Sequence, residues 1–314
     1  MVYVGVDLGG TNIAVGIVDE AGKILSEASV KTLSSRPWQE IIRDMGHCIL
    51  TALEKGNFKV EDVKSVGVGI PGMADQETGK VIFCTNLGWA DIPLREELQK
   101  YINKPVYIDN DANVAGLAEN YAGVSAGSNS SIFVTLGTGV GGGIIVDGKT
   151  WTGAHNRAGE IGHMTLIPDG IPCTCGNNGC VERYCSATAL IRMGKQAFNS
   201  YPDCEIARLC GGDPDKISAK TVIDAAKAGD SVAKRIFDEY TRYLTLAINT
   251  MISFFDPEVV VIGGGVSHAG EMLINAIREQ LPLYLMFKSV AAPRIELAKL
   301  GNEAGIIGAA MLGK

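Results

Sequence analysis

Between residues 159 and 182 the chain gathers groups that bind soft metals: Gly159-Glu160-Ile161-Gly162-His163 is followed by Cys173-Thr174-Cys175-Gly176-Asn177-Asn178-Gly179-Cys180-Val181-Glu182. Thiolates and a neutral imidazole suit Zn²⁺, and a structural site holds four such ligands tetrahedrally. Cys173, Cys175, Cys180 and His163 supply four. Gly176 and Gly179 let the chain turn back tightly between the second and third thiolates. A structural zinc is therefore expected, although the spacing leaves Cys185 open as a replacement thiolate and His155 as a replacement imidazole. The competing reading, buried or disulfide-bonded cysteines, depends on compartment. No charged, apolar leader precedes the first expected strand, and no run of 18 or more apolar residues offers a bilayer span. A reducing cytoplasm is expected, where a tight cysteine cluster is more often metal-binding than a disulfide framework. Cys48, Cys84, Cys204 and Cys210 read as scattered thiols.

Two glycine-rich turns form the second constellation, and they are related to each other. Val6 to Asp19 aligns with Val134 to Asp147 at a constant offset of 128, with six of fourteen positions identical. Each copy reads as strand, turn, strand: Val2–Leu8, Gly9-Gly10-Thr11-Asn12 and Ile13–Val18, then Ile132–Leu136, Gly137-Thr138-Gly139 and Gly143–Val146. A duplicated hairpin suggests a duplicated domain. Backbone N–H groups in such turns can face anionic oxygens, absent side chains permit close approach, and Thr11 and Thr138 add hydroxyls. The plain alternative is a pair of hairpin turns with no ligand. The GxGxxG matches at Gly67–Gly72 and Gly137–Gly142 are not dinucleotide fingerprints. That motif opens a helix, whereas Pro71-Gly72 opens a loop and Ile144-Ile145-Val146 continues as a strand.

A third candidate is Asp109-Asn110-Asp111-Ala112-Asn113, at the end of a short strand (Val106–Ile108) and the start of a helix running through Ala122. Asp111 can be a catalytic carboxylate or the helix N-cap, and Asp109 or Asn110 can cap equally well. The residues alone leave this open.

The elements that must position these groups alternate along the chain. Apolar spacing predicts a helix over Pro37–Glu54, a buried strand over Val63–Ile70, and helices over Ala187–Phe198, Lys220–Lys227 and Ser231–Phe255. Val259–Ile262 is an apolar strand running into Gly263-Gly264-Gly265, with helices expected over Gly270–Glu279 and Ala304–Leu312. With 314 residues, 46% hydrophobic and 20% charged, two domains are the natural expectation. A formal charge of −7 without any Lys/Arg block argues against a nucleic-acid surface, which needs clustered cations.

These residues together resemble the ROK group of sugar kinases and repressors, and are most similar to its bacterial glucokinases. The resemblance covers nearly the whole chain. It rests on Asp7-Leu8-Gly9-Gly10-Thr11-Asn12, Gly69-Ile70-Pro71-Gly72, Asn86-Leu87-Gly88-Trp89, Asn110-Asp111-Ala112-Asn113, Leu136-Gly137-Thr138-Gly139, the GEIGH and CTCGNNGCVE segments, and Ile262-Gly263-Gly264-Gly265. It implies an α/β, actin-like ATPase (ribonuclease H-like) fold of two related domains that close over a nucleotide. The expected division is a smaller domain over 1–112 joined by the C-terminal helix (301–314), and a larger one over 113–300 with the zinc loop.

The resemblance also implies roles. Asp111 would be the general base, accepting the proton of a sugar 6-hydroxyl as it attacks the γ-phosphate of ATP. Asp7 would be a ligand to Mg²⁺-bound water. Gly9, Gly10, Thr11 and Asn12, with Gly137, Thr138 and Gly139, would hold the phosphates, and Gly264 and Gly265 would lie against adenosine. The late glycines have a plain alternative as a helix-entry turn. Gly72, Asn86, Asn110, Asp111, Glu160, His163 and Glu182 would contact the sugar, His163 with one ring nitrogen on zinc and the other toward a hydroxyl. Zinc would be structural, since a catalytic zinc activates water and a kinase must exclude it. Trp89 and Trp151 read as packing residues.

The activity implied is ATP-dependent phosphorylation of a hexose 6-hydroxyl, glucose preferred, with closure of the two lobes on the sugar excluding water. A kinase for fructose, allose, N-acetylmannosamine or N-acetylglucosamine is the main alternative, and a non-catalytic sugar sensor a further one. The family's repressors carry an additional N-terminal helix-turn-helix, whereas here the first expected strand begins at Val2, so a repressor is not expected. No nucleic-acid or membrane partner is expected, and a homodimer is implied by the family alone.

Overall fold

The computed structural model describes all residues from 1 to 314. In chain order the elements are β1 (Val2–Leu8), β2 (Asn12–Val18), β3 (Ile24–Lys31), α1 (Trp38–Lys55), β4 (Val63–Ile70), β5 (Met73–Asp75), β6 (Lys80–Cys84), β7 (Trp89–Ile92), α2 (Leu94–Gln99), β8 (Val106–Asn110), α3 (Asp111–Ala122), β9 (Ser130–Leu136), β10 (Val140–Val146), β11 (Lys149–Thr150), α4 (Glu182–Cys185), α5 (Ala187–Ser200), α6 (Glu205–Leu209), α7 (Ala219–Lys227), α8 (Ser231–Phe255), β12 (Val259–Gly263), α9 (Glu271–Tyr284), β13 (Arg294–Leu297) and α10 (Ala304–Met311).

Two five-stranded sheets repeat one plan, with orders β3-β2-β1-β4-β8 and β11-β10-β9-β12-β13. The duplicated hairpin seen in the sequence therefore occupies the same position in each sheet, as β1–β2 and as β9–β10. In the first sheet β1 and β2 are antiparallel, with Leu8 opposite Ile13, so the chain reverses through Gly9–Thr11. Strands β4 and β8 add in parallel, with Val6 beside Val68 and Val68 beside Ile108. Because β1, β4 and β8 run in parallel, Asp7, Ile70 and Asn110 all come to the same end of the sheet. Strand β4 is buried at every position but Lys64, as a strand covered on both faces must be. A separate three-stranded sheet, β5-β6-β7, follows β4.

Helix α10 shows how glycine sets this packing. A Cβ on Gly67 would lie 1.7 Å from the Ala309 carbonyl oxygen, one on Gly5 1.9 Å from that of Ile306, and one on Gly308 1.7 Å from that of Val114. Glycines on strands and helix thus allow backbone-to-backbone approach of α10 to β1, β4 and α3. Around this contact lie buried Tyr3, Val18, Leu117, Ala118, Ile145, Ile306, Ile307 and Ala310.

By compactness the chain divides into one unit of residues 1–133, 143–159 and 299–314, and another of residues 134–142 and 160–298. No helix is long and apolar enough to cross a membrane.

Candidate active site and metal centre

In the first unit the end of β8 and the start of α3 are organised by a buried carboxylate. Asp109 accepts hydrogen bonds from the Asn110 N–H at 2.7 Å, from Asn113 Nδ2 at 2.7 Å and from Gln76 Nε2 at 2.6 Å. Gln76 also donates to the Thr150 hydroxyl at 3.1 Å. Burial pushes the Asp109 carboxyl above its ordinary range, and these donors, Asn113 foremost, pull it back.

Next along the chain, Asn110 is the N-cap of α3. Its side-chain oxygen accepts from the Ala112 N–H at 2.8 Å and the Asn113 N–H at 3.3 Å, while its Nδ2 donates to the Gly72 carbonyl at 3.0 Å. Asp111 is the first helical residue and is exposed. The helix therefore does not depend on Asp111 for its cap, although the Asp111 carboxylate also accepts from the Ala112 N–H at 2.8 Å.

Gly72 backs onto β6, where a Cβ would fall 2.3 Å from the Phe83 carbonyl oxygen. Cys84, at the end of β6, donates its S–H to the Pro71 carbonyl at 2.9 Å; its thiol is raised mainly by burial, with the Asp111 charge contributing. Asn86 follows two residues later, exposed, with its Cβ 3.8 Å from where a Gly10 Cβ would stand. Gly72, Asn86, Asn110 and Asp111 thus share one neighbourhood, and Asn86 carries it to the first glycine turn.

That turn is closed by a bond from the Gly9 N–H to the Asn12 carbonyl at 2.9 Å. Thr11 and Asn12 are exposed. Asp7 is half-buried against Gly305, where a Cβ would meet its carboxylate at 2.6 Å. Burial raises the Asp7 carboxyl above its ordinary range, and no lysine or arginine pairs with it. A half-buried carboxylate without a cation suits a hydrated Mg²⁺, whose charge would restore the ionised form.

In the second unit the ligand atoms of His163, Cys173, Cys175 and Cys180 all lie within 4.8 Å of one another. Cys175 Sγ is 3.6 Å from Cys180 Sγ, and Cys173 Sγ is 3.7 Å from His163 Nδ1. Ligands about 2.3 Å from a tetrahedral Zn²⁺ stand roughly 3.8 Å apart, so the spacing fits the ion. Its chemistry fits as well. Burial, with its sulfur neighbours, pushes the Cys180 thiol up to about 12, while the Asn177 backbone and nearby groups lower Cys175. Three crowded sulfurs ionise together only around a cation. All eight cysteines are free, and Cys185 and His155 lie outside the cluster.

The loop is shaped for this grouping. The Cys173 N–H donates to the Asn177 carbonyl at 2.8 Å, closing the hairpin that carries Cys175 at its tip. Gly179, at φ +72, must be glycine, because a Cβ would lie 1.6 Å from the Ile167 carbonyl oxygen. His163 ends a short 3-10 turn over Ile161–His163 that begins after exposed Glu160. With Nδ1 turned to the cluster, the His163 Nε2 is the nitrogen available elsewhere.

Glu182 opens α4 directly after the loop, and its Oε2 accepts from the Val140 N–H at 3.1 Å. This brings it to the second glycine turn, where a Gly139 Cβ would lie 2.2 Å from that oxygen. Gly162 also backs onto Val140, with a Cβ position 2.1 Å from its carbonyl oxygen. The two late glycines differ. Gly264, at φ +81, presses against the Leu136 backbone, where a Cβ would come within 2.6 Å, whereas a Cβ on Gly265 would meet open space. Gly264 thus has a packing requirement of its own. Neither GxGxxG match opens a helix: β5 follows the first, and β10 begins within the second.

Sequence reasoning did not assign Gln76 and Thr150 to the Asp109 network, nor Thr32 and Thr188 to the glycine turns. Their partners lie 23 to 74 residues away, and no local pattern announces them.

A sheet plan used twice, with glycine turns at corresponding hairpins, defines a two-unit α/β fold, to which a Cys₃His cluster adds a loop able to hold a metal. A model of the ROK family matches residues 3–314, and the chain belongs to that family. It is 38% identical over 310 residues to a glucokinase of Thermotoga maritima, covering 98% of this chain and 96% of the relative. It is 36% identical over 316 residues to a glucokinase of Halalkalibacterium halodurans, covering 99% and 94%. A crystal structure of a ROK family glucokinase from Streptomyces griseus, in complex with glucose and AMPPNP, superposes with a TM-score of 0.83 at 36% identity, covering 99% of both chains. The fold is accordingly the actin-like ATPase fold of the ROK kinases.

Proposed function

We propose that the protein is an ATP- and Mg²⁺-dependent hexose 6-kinase acting by preference on glucose, with a structural zinc. The observation that carries this reading is the exposed Asp111 at the first position of α3, on a helix already capped by Asn110. Its carboxylate serves as the base, taking the proton of the sugar 6-hydroxyl as that oxygen attacks the γ-phosphate. Gly72, Asn86, Asn110, Glu160, His163 and Glu182 hold the sugar hydroxyls, each of which can both donate and accept.

Gly9, Gly10, Thr11 and Asn12, together with Gly137, Thr138 and Gly139, present N–H and hydroxyl donors to the phosphates. Gly265, and Gly264 through its backbone, line the adenosine side. Asp7 holds Mg²⁺ through water. Bound there, the ion would supply charge neutralisation for the transferred phosphate. His163, Cys173, Cys175 and Cys180 would hold the zinc, and His163, bound through Nδ1, would then keep its other ring nitrogen for a sugar hydroxyl. The full-length similarity to glucokinases supports glucose, and a kinase for another hexose or an N-acetylhexosamine uses the same machinery with different pocket loops.

The test is Asp111→Asn. With sugar affinity unchanged, kcat should fall by roughly 10²–10⁴-fold, the range for loss of a general base. Retention of most of the rate would remove Asp111 from this role.

A further inference from the structure

The second glycine turn is held from one side by the start of α5. The Ala187 N–H donates to the Gly137 carbonyl at 2.8 Å, and the Thr188 hydroxyl donates to the Thr138 carbonyl at 2.7 Å. A trans peptide unit is planar, with its C=O and N–H pointing in opposite directions. Fixing the carbonyls of Gly137 and Thr138 against α5 therefore turns the N–H groups of Thr138 and Gly139 away from that helix. The turn's own internal bond, from the Gly137 N–H to the Gly139 carbonyl at 3.0 Å, uses neither of them. The Val140 N–H is already committed to Glu182. Two successive, outward, oriented N–H groups form a concavity suited to an anionic oxygen.

The first turn is held by the same device from a different element. Thr32, buried just beyond β3, donates its hydroxyl to the Gly9 carbonyl at 2.7 Å and its N–H to the Thr11 carbonyl at 2.9 Å. The two turns align at an offset of 128 residues, yet Thr32 follows a strand and Thr188 begins a helix. A threonine hydroxyl on a turn carbonyl is thus reached twice by separate parts of the chain.

Thr188 has no other evident duty. It is exposed, and α5 is capped by Ser186, whose hydroxyl accepts from the Ala189 N–H at 3.1 Å. We propose that Thr188, with Thr32 as its counterpart, is a positioning residue for the nucleotide phosphates, orienting the donors of the Gly137–Gly139 turn through the Thr138 carbonyl. This rests on the ATP-dependent reading above. Glu182, bonded to the same turn through Val140, carries the orientation to the residues following the metal loop.

The experiment compares wild type, Thr188→Val and Thr188→Ser in the full-length, zinc-loaded protein. Binding of a non-hydrolysable ATP analogue with Mg²⁺ is measured by calorimetry, and KM for ATP and for sugar by steady-state assay. Thr188→Val should weaken analogue binding and raise KM for ATP by roughly three- to tenfold, the range one net hydrogen bond carries. KM for sugar should stay within about twofold, and Thr188→Ser should restore the ATP values. Unchanged analogue binding in Thr188→Val would overturn the proposal. So would parallel loss of both substrates and of thermal stability that serine does not rescue. Absence of sugar phosphorylation by wild type would instead reject the kinase reading, while the analogue titration still decides the role of Thr188.

Discussion

Cys175 is the exposed member of the His163, Cys173, Cys175 and Cys180 cluster, at the tip of a hairpin closed by Cys173 and Asn177. Replacing it with alanine removes a ligand without opening the core, so any loss of stability reports the metal. The protein should carry about one Zn²⁺ per chain by elemental analysis. Cys175→Ala should lose it and melt roughly 5–10 °C lower, the shift a few kcal/mol produces in a chain of this size. Unchanged metal content in that variant would place the ion elsewhere.

Asp7 allows a prediction of opposite sign. Its folded-state carboxyl is raised by burial, so the free native protein binds that proton more tightly than the unfolded chain does. That contribution to stability is present below the unfolded pKa and is lost as pH rises through the raised value. Asp7→Asn, which cannot ionise, should therefore stabilise the nucleotide-free protein at neutral pH relative to wild type and narrow the gap in acid, while weakening Mg²⁺–nucleotide binding. Thermal melts from acid to neutral pH, with and without Mg²⁺–nucleotide, check both halves.

At this scale the grouping of His163, Cys173, Cys175 and Cys180 is legible because all four fall within eighteen residues and their chemistry is distinctive. The choice between Asp109, Asn110 and Asp111 as the cap was not. It depends on which backbone turns from strand to helix, and on a Gln76 that arrives from a distant hairpin.

Among the elements, α10 is the one on which the first sheet and α3 converge, and glycine makes that convergence possible. Gly308→Ala would drive a Cβ to 1.7 Å from the Val114 carbonyl oxygen, against backbone that cannot rotate away. A loss of at least about 2–3 kcal/mol is expected in denaturant unfolding. A neutral result would mean that the helix shifts freely, and the close approach would then carry no weight. Gly67 belongs to this contact too, which explains a glycine in the first GxGxxG match without any dinucleotide.

The long periodic elements were readable from apolar spacing: Val2–Leu8, Val63–Ile70 and Ser231–Phe255 have the expected bounds. Helix α9 runs past the expected Glu279 to Tyr284, through Pro282, and buries Leu281 in the added turn. Strands β5, β6 and β7, of three to five residues, escaped notice. They pair only with one another, and runs so short carry too little alternation to separate from loop. Their consequence is large, since that small sheet delivers Gly72 and Asn86 to the end of β8.

Over the whole molecule the organising fact is a duplication. One hairpin, repeated after 128 residues, occupies the same position in two sheets of the same order, and each copy has its turn carbonyls held by a threonine hydroxyl. The repeat was visible in six identical positions because turns and buried strands tolerate few residue types. The threonine partners were not, since the two copies recruit them from unrelated elements. The chain belongs to the ROK family and is similar over nearly its whole length to bacterial glucokinases.

If the protein moves phosphate from ATP to a hexose, ADP must appear only when a sugar acceptor is supplied. The most direct measurement is a coupled ADP-release assay with ATP and Mg²⁺ against glucose, mannose, fructose, allose, N-acetylglucosamine and N-acetylmannosamine. Sugar-dependent ADP release, highest with glucose, is expected. Preference for another sugar in the panel would contradict the glucose assignment, and sugar binding without ADP release from any of them would contradict the kinase itself.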